Sequence, residues 1–372
     1  MIYLDNASTT PLDEDVLEAM TPYLKENFGN PSSQHSAGRR SAEGVLSARD
    51  KIAALFGCKG DEVFFVSGGT EAGNWALKGA CAGGRGKHIV VSAIEHPALI
   101  ESANDMKRYG YEVTFVKPDK DGAVRPESIE SALREDTVFC AVMHANNETG
   151  VIQPVEEIGA VCRARGVFYY CDCVQTAGVL PFPQKHCDAF GISAHKFYGP
   201  KGFGAMFVRK GAPIQRLISG GSQEQGLRGG TTNTAGAVGC AAALEKAVRD
   251  REKNNGYISA LRDGFVEKVL SLDGTHVNGG ANRLPSTANI SFDGCGGENI
   301  LFLLDMKGIA VSTGSACSAG AVKASHVLTA MGLEEDRVKS AVRFTFGKYN
   351  TSEEADFVVC ALKDALKAIR RY

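Results

Sequence analysis

Seven short apolar runs, at 63–66, 88–93, 113–116, 138–143, 167–171, 189–192 and 205–208, constrain this chain more than any other feature. Stretches with helical spacing lie between many of them. One follows Thr70, another opens on Pro97 and a third on Pro154, and proline suits a first helical turn. Apolar runs alternating with helices imply a mainly parallel sheet covered by helices on both faces. In such sheets ligands gather at the carboxyl ends of the strands.

From about Asn233 the pattern changes. A helical stretch over 235–250 leads to a polar break at 253–256, then to another helix and a smaller mixed region. Strands are expected there at 288–292 and 342–346. The last helix carries apolar residues at Ala355, Val358, Val359, Leu362, Leu366 and Ile369, and Thr351 with Glu354 fits a capping box at its start. The break places an expected boundary near Asn255. A large domain would span 13–255, and a small α+β domain would combine 1–12 with 256–372.

The length of 372 residues is enough for two such units. With 41 basic and 43 acidic residues the net charge is -2, which argues against direct nucleic-acid binding. No apolar run reaches membrane-spanning length, and Met1 to Asp5 lacks the pattern of a signal peptide. The 11 cysteines are odd in number and scattered through expected strands and helices. That is no disulfide framework and fits a reducing cytoplasm.

The candidate chemistry falls at strand ends. The run at 63–66 leads into Ser67-Gly68-Gly69-Thr70 and then a helix. Glycines allow close approach of a ligand, and a helix N-terminus favours an anion, so this turn reads as a phosphate cradle. Thr70 as a plain helix cap explains the same residues equally well. His96 follows the next run and could stack on an aromatic ligand and move protons, although a lone histidine is more often a loop or core residue. A polar cluster containing Asn147 ends the run at 138–143, where a simple turn is the bland alternative.

Asp172 comes straight after an apolar run, and a buried Asp is costly unless it meets a cation such as a pyridinium nitrogen. Lys196 sits between the run at 189–192 and a Gly/Pro-rich loop, beside Ser193 and His195. A lysine so placed has its pKa pushed down and becomes a Schiff-base candidate. An Asp about twenty residues ahead of such a lysine, on the neighbouring strand, fits a pyridoxal phosphate site. Cys171 and Cys173 flank Asp172, and Cys-x-Cys is weak evidence for a metal; they read as small buried side chains.

Together these segments resemble the pyridoxal-phosphate-dependent cysteine desulfurases of the NifS/IscS type, in the class V aminotransferase family. The similarity runs from Leu4-Asp5-Asn6-Ala7-Ser8-Thr9-Thr10 to Val342-Arg343-Phe344-Thr345. The run Ser193-Ala194-His195-Lys196, with Gly199-Pro200-Lys201-Gly202 after it, marks the class, and Gly314-Ser315-Ala316-Cys317 marks the desulfurase branch.

The resemblance implies a fold-type I pyridoxal-phosphate enzyme with a mainly parallel seven-stranded sheet in its large domain. Lys196 would hold pyridoxal 5'-phosphate covalently, Asp172 would keep the ring nitrogen protonated, Gln175 would bond the phenolic oxygen and His96 would stack on the ring. Gly69, Thr70, Ser193 and His195 would bind the phosphate. Thr231 would reach the phosphate of a partner subunit, which implies a homodimer. Asn147 and Arg343 would position L-cysteine, a role that suits a planar guanidinium.

Cys317, flanked by small residues in an expected loop, would attack the substrate sulfur as a thiolate and carry it as a persulfide. His96 would deprotonate the substrate thiol. No metal site is expected, save that Cys317 could ligate an iron–sulfur cluster in transit. The sulfur acceptor would be a protein, either a scaffold for iron–sulfur cluster assembly or an enzyme that thiolates tRNA or cofactors. The chain's stop at Tyr372, without the longer tail of housekeeping members, weakens the expectation of a scaffold. A selenocysteine lyase and a class V aminotransferase are the alternatives; neither requires a persulfide on Cys317.

Overall fold

The computed structural model describes residues 1–314 and 324–370. Its strands are β1 (Ile2–Tyr3), β2 (Val63–Val66), β3 (His88–Ser92), β4 (Glu112–Val116), β5 (Thr137–Ala141), β6 (Phe168–Asp172), β7 (Ala189–Ser193), β8 (Gly204–Val208), β9 (Thr275–Val277), β10 (Thr287–Phe292), β11 (Ile309–Ala310) and β12 (Ala341–Thr345). Seven of them form the central sheet, in the order β2-β8-β7-β6-β5-β3-β4. β8 pairs antiparallel with both β2 and β7, while the remaining pairs are parallel. Every apolar run expected to be a central strand is one.

Burial explains why these runs read as continuous apolar segments. Strands β3, β7 and β8 are buried along their whole length, whereas β4, at the edge, is largely half-exposed. Each fully buried Val, Ile or Phe side chain is worth roughly 1.5–3 kcal/mol. Helices pack on both faces. On one, Gly69–Gly83 and Pro97–Met106 join a core with Trp75, Phe139 and Tyr170. On the other, Ser36–Phe56 and Thr234–Arg249 share a core with Phe56, Phe190 and Leu244. Pro97 occupies the first helical turn, and Pro154 stands one place earlier than expected, at the cap of Val155–Ala164.

The polar break expected at 253–256 is absent. Helix Arg251–Leu270 runs through it. Only a change of direction at Asp250 separates it from Thr234–Arg249, and Asn255 is used in the helix, donating from Nδ2 to the Val179 carbonyl at 2.9 Å.

Beyond this helix, β12, β10 and β9 form a small antiparallel sheet, and β1 pairs in parallel with β11. A separate core joins Leu4 to Phe265, Phe292, Phe344 and Leu362. The chain's first residues therefore pack with its last hundred or so. Helix Ser352–Ile369 covers that core, and the Thr351–Glu354 capping box at its start is formed. This arrangement brings β12 and residues 5–8 to the carboxyl ends of the central strands.

Candidate active site

The carboxyl ends of β2, β3, β5, β6 and β7 surround a cavity of about 350 Å³, within the range of small-molecule sites. Gly69, Thr70, His96, Asn147, Asp172, Gln175, Ser193, His195, Lys196 and Arg343 all line it. Thr231 does not and is exposed. Cys317 lies outside the described residues, and Gly314, three positions before it, forms part of the wall.

At one end the chain turns from β2 into helix Gly69–Gly83. Gly68, not Thr70, is the cap residue, with φ +152°. The Gly69 amide donates to Ser193 Oγ at 2.7 Å. A Cβ on Gly69 would lie 2.5 Å from Val174 Cγ2, so the close approach here requires glycine. Thr70 sits in the first turn, beside amides that favour an anion. Glu71 would oppose such an anion, but Arg228 holds it in a bidentate ion pair at 2.9 and 3.2 Å. His195 bonds Thr9 Oγ1 at 3.1 Å, and burial, aided by Lys196 and Lys201, lowers its pKa to about 4.

In the middle, Asp172 ends β6 with its Oδ1 accepting the Val174 amide at 2.8 Å. Burial pushes its carboxyl up to about 6, against the pull of that hydrogen bond and of Lys196. Lys196 Nζ donates to the carbonyls of Ala7 at 2.6 Å and Ser8 at 2.8 Å. Gln175 Nε2 donates to the same Ala7 carbonyl at 3.0 Å.

His96 caps helix Pro97–Met106, and its Nδ1 accepts the Ala98 amide at 3.2 Å. Burial, then Lys196 and His326, hold its pKa near 4. The ring is therefore neutral at pH 7, with its proton on Nε2. Such a tautomer donates at Nε2.

At the far end stands Arg343, on β12 and buried. Nη1 donates to the Asn147 carbonyl at 2.8 Å, and Nη2 to Asp5 Oδ1 at 2.9 Å and Ser8 Oγ at 2.8 Å. Nε is buried and, among the described residues, unpartnered. The guanidinium expected to clamp a carboxylate is thus already partly engaged, with Asp5 as its carboxylate partner.

Several residues at the site escaped sequence reasoning. Ala7 and Ser8 wall the cavity and hold Lys196 through backbone carbonyls, which no side-chain pattern reveals. Glu95 is fully buried, accepts Ser92 Oγ and, at 2.7 Å, the Met143 amide, and is pushed up to about 8 by burial with Asp172 adding to the effect. His326 Nε2 donates to the Glu95 carbonyl at 3.0 Å. Glu148 is likewise buried. An acid flanked by strand-end motifs was the available signal for both glutamates. Cys171 and Cys173 are buried thiols 3.9 Å apart, with pKa values raised by burial; packing is their visible role.

The chain matches the family described as Aminotransferase class-V over residues 2–358. It belongs to that family. Curated relatives named cysteine desulfurase IscS include one from Dictyoglomus turgidum, 43% identical over 99% of this chain and 95% of its own. Another, from Methanosarcina thermophila, is 41% identical over 99% of this chain and 93% of its own. A solved NifS-like protein superposes with a TM-score of 0.92 at 37% identity, covering all of both chains. A structure described as SspA in complex with cysteine has a TM-score of 0.83 at 32% identity, over 94% of this chain and 100% of that one.

Class V aminotransferase-family enzymes depend on pyridoxal 5'-phosphate, and this chain is an enzyme of that kind. The cavity fits the group. A half-buried carboxylate at Asp172 suits a cationic ring nitrogen, and the first turn of helix Gly69–Gly83 lines the cavity with the amide-rich end that suits a phosphate.

Proposed function

We propose that this chain is a cysteine desulfurase that converts L-cysteine to L-alanine and passes the sulfur, as a persulfide on Cys317, to an acceptor protein. The observation carrying this reading is the convergence of Lys196, Asp172, His96 and Arg343 on one cavity whose wall includes Gly314, three residues before Cys317 in sequence.

When bound, pyridoxal phosphate supplies the electron sink that lets the substrate's Cα proton leave and weakens its Cβ–Sγ bond. Asp172 holds the ring nitrogen's proton. Gly69, Thr70, Ser193 and His195 receive the phosphate, and Gln175 the phenolic oxygen. Lys196 anchors the group and moves the Cα proton. Arg343 and Asn147 hold the substrate carboxylate. His96 stacks on the ring and donates from Nε2. The Cys317 thiolate attacks Sγ: an S–S bond forms, the Cβ–Sγ bond breaks, and Cβ takes up a proton to leave L-alanine.

On this reading 13–255 is the cofactor-binding domain, and 1–12 with 256–372 the smaller one. The enzyme works in the cytoplasm as a homodimer in which Thr231 completes the partner's phosphate site. Among the described residues no helix is long and apolar enough to cross a membrane. The test is Cys317→Ala. It should keep the bound yellow cofactor and lose sulfide release from L-cysteine with a reductant; undiminished release would sink the assignment. Comparing L-selenocysteine turnover in the same variant separates the lyase alternative, which should survive the change.

A further inference from the structure

Glu148 is a buried carboxylate for which the proposed chemistry has no use, and it touches the chain on both sides of Cys317. On the near side is Gly314, at φ +82°. A Cβ there would lie 2.8 Å from Glu148 Oε2, so the backbone passes against the carboxylate where only glycine fits. Its amide donates to Ser312 Oγ at 3.1 Å, and Ser312 is bridged to Arg343 through backbone bonds of 2.6 and 3.2 Å. On the far side is Ser325, also buried, whose Oγ donates to the same Glu148 Oε2 at 2.5 Å. That Oγ also accepts the Leu328 amide at 3.1 Å, starting the turn His326–Ala330.

Glu148 is itself held firmly. Its amide donates to Asn146 Oδ1 at 2.9 Å and its carbonyl accepts Asn289 Nδ2 at 3.2 Å. The residue before it, Asn147, takes the Arg343 guanidinium on its carbonyl. One carboxylate oxygen thus meets both described flanks of the cysteine, and its backbone neighbour meets the substrate clamp.

We propose that Glu148 is a positioning residue that registers the two chain ends flanking Cys317 against the amino-acid subsite of Asn147 and Arg343. The inference rests on the desulfurase reading. It assigns Glu148 to delivery of the thiol and not to binding of the amino acid. The role needs an oxygen acceptor for the Ser325 hydroxyl and does not need a charge, so glutamine should serve.

The experiment uses the holoenzyme with Glu148→Ala, Glu148→Gln and Ser325→Ala. Two quantities are read: persulfide formed on Cys317 in a single turnover, by mass spectrometry, and the L-cysteine concentration that half-saturates the change in the cofactor's visible spectrum. Both alanine variants should form persulfide about tenfold more slowly, the scale of one lost buried hydrogen bond, with half-saturation within about twofold of the parent. Glu148→Gln should stay within about threefold of the parent rate. Should Glu148→Ala not fold, Ser325→Ala carries the test alone.

Unchanged persulfide formation in the alanine variants, equal losses in both readouts, or a glutamine variant as slow as alanine would each overturn the proposal. A parent enzyme that forms no persulfide on Cys317 would instead overturn the desulfurase reading, and this inference with it.

Discussion

Replacing Asp172 with asparagine should stabilise the cofactor-free protein and weaken its hold on the cofactor. Burial raises the Asp172 carboxyl from 3.8 to about 6. Two pKa units correspond to about 3 kcal/mol. Because the folded pKa lies above the unfolded one, the folded protein holds this proton more tightly. The penalty is absent below the unfolded value, grows as pH rises, and is complete above about 6. Asparagine has no proton to lose and escapes it.

At pH 7.5 the cofactor-free variant should therefore be more stable by up to about 3 kcal/mol. For a chain of 372 residues that is a rise in Tm of about 4 °C. At pH 5 the advantage should fall to roughly half. Adding pyridoxal phosphate should reverse the order, since asparagine cannot balance a cationic ring nitrogen. Thermal unfolding at the two pH values, with and without cofactor, reads all four cases. A Tm difference that does not change with pH, or equal stabilisation of both proteins by the cofactor, would refute the reasoning.

Two further changes probe the same cavity. Lys196→Ala should abolish the visible absorbance of the covalently held cofactor, and an unchanged spectrum would remove Lys196 as the anchor. Gly69→Ala drives a methyl to within 2.5 Å of Val174 Cγ2, and overpacking of this kind costs roughly 1–3 kcal/mol. Titration with pyridoxal phosphate should show affinity about tenfold weaker or worse, and an unaltered titration would argue against the cradle.

The central sheet was legible because buried parallel strands must be apolar on both faces, and runs such as 88–93 and 189–192 have no other simple use. The site was legible where a costly residue followed such a run, as Asp172 and Lys196 do. The break at 253–256 misled because lysine and asparagine on a solvent-facing helix look like a linker. There Asn255 finds a carbonyl to bond and the helix continues. Thr70 misled in a smaller way, since glycine at φ +152° turns the chain before a side-chain cap is needed. What stayed hidden is mostly backbone: the Ala7 and Ser8 carbonyls that hold Lys196, and the Ala98 amide that fixes the His96 tautomer. The first depends on segments 188 and 189 residues apart meeting, and the second on a local turn; periodicity records neither.

The buried acids show how such a site controls its charge. Burial raises both carboxyls, and the Asp172 charge raises Glu95 further. They are not equivalent. Glu95 is raised to about 8 and Asp172 only to about 6: both keep hydrogen bonds that lower them, but Lys196 lowers Asp172 while Asp172 raises Glu95. Near pH 7 Asp172 is therefore the one that ionises, while Glu95 stays protonated and bridges Ser92 to the Met143 amide. On the proposed reading a neutral His96 suits the site, since a charged imidazole over the ring would oppose a cationic ring nitrogen at Asp172. Burial, more than any ion pair, thus leaves a single negative charge facing the place where a ring nitrogen must be kept positive.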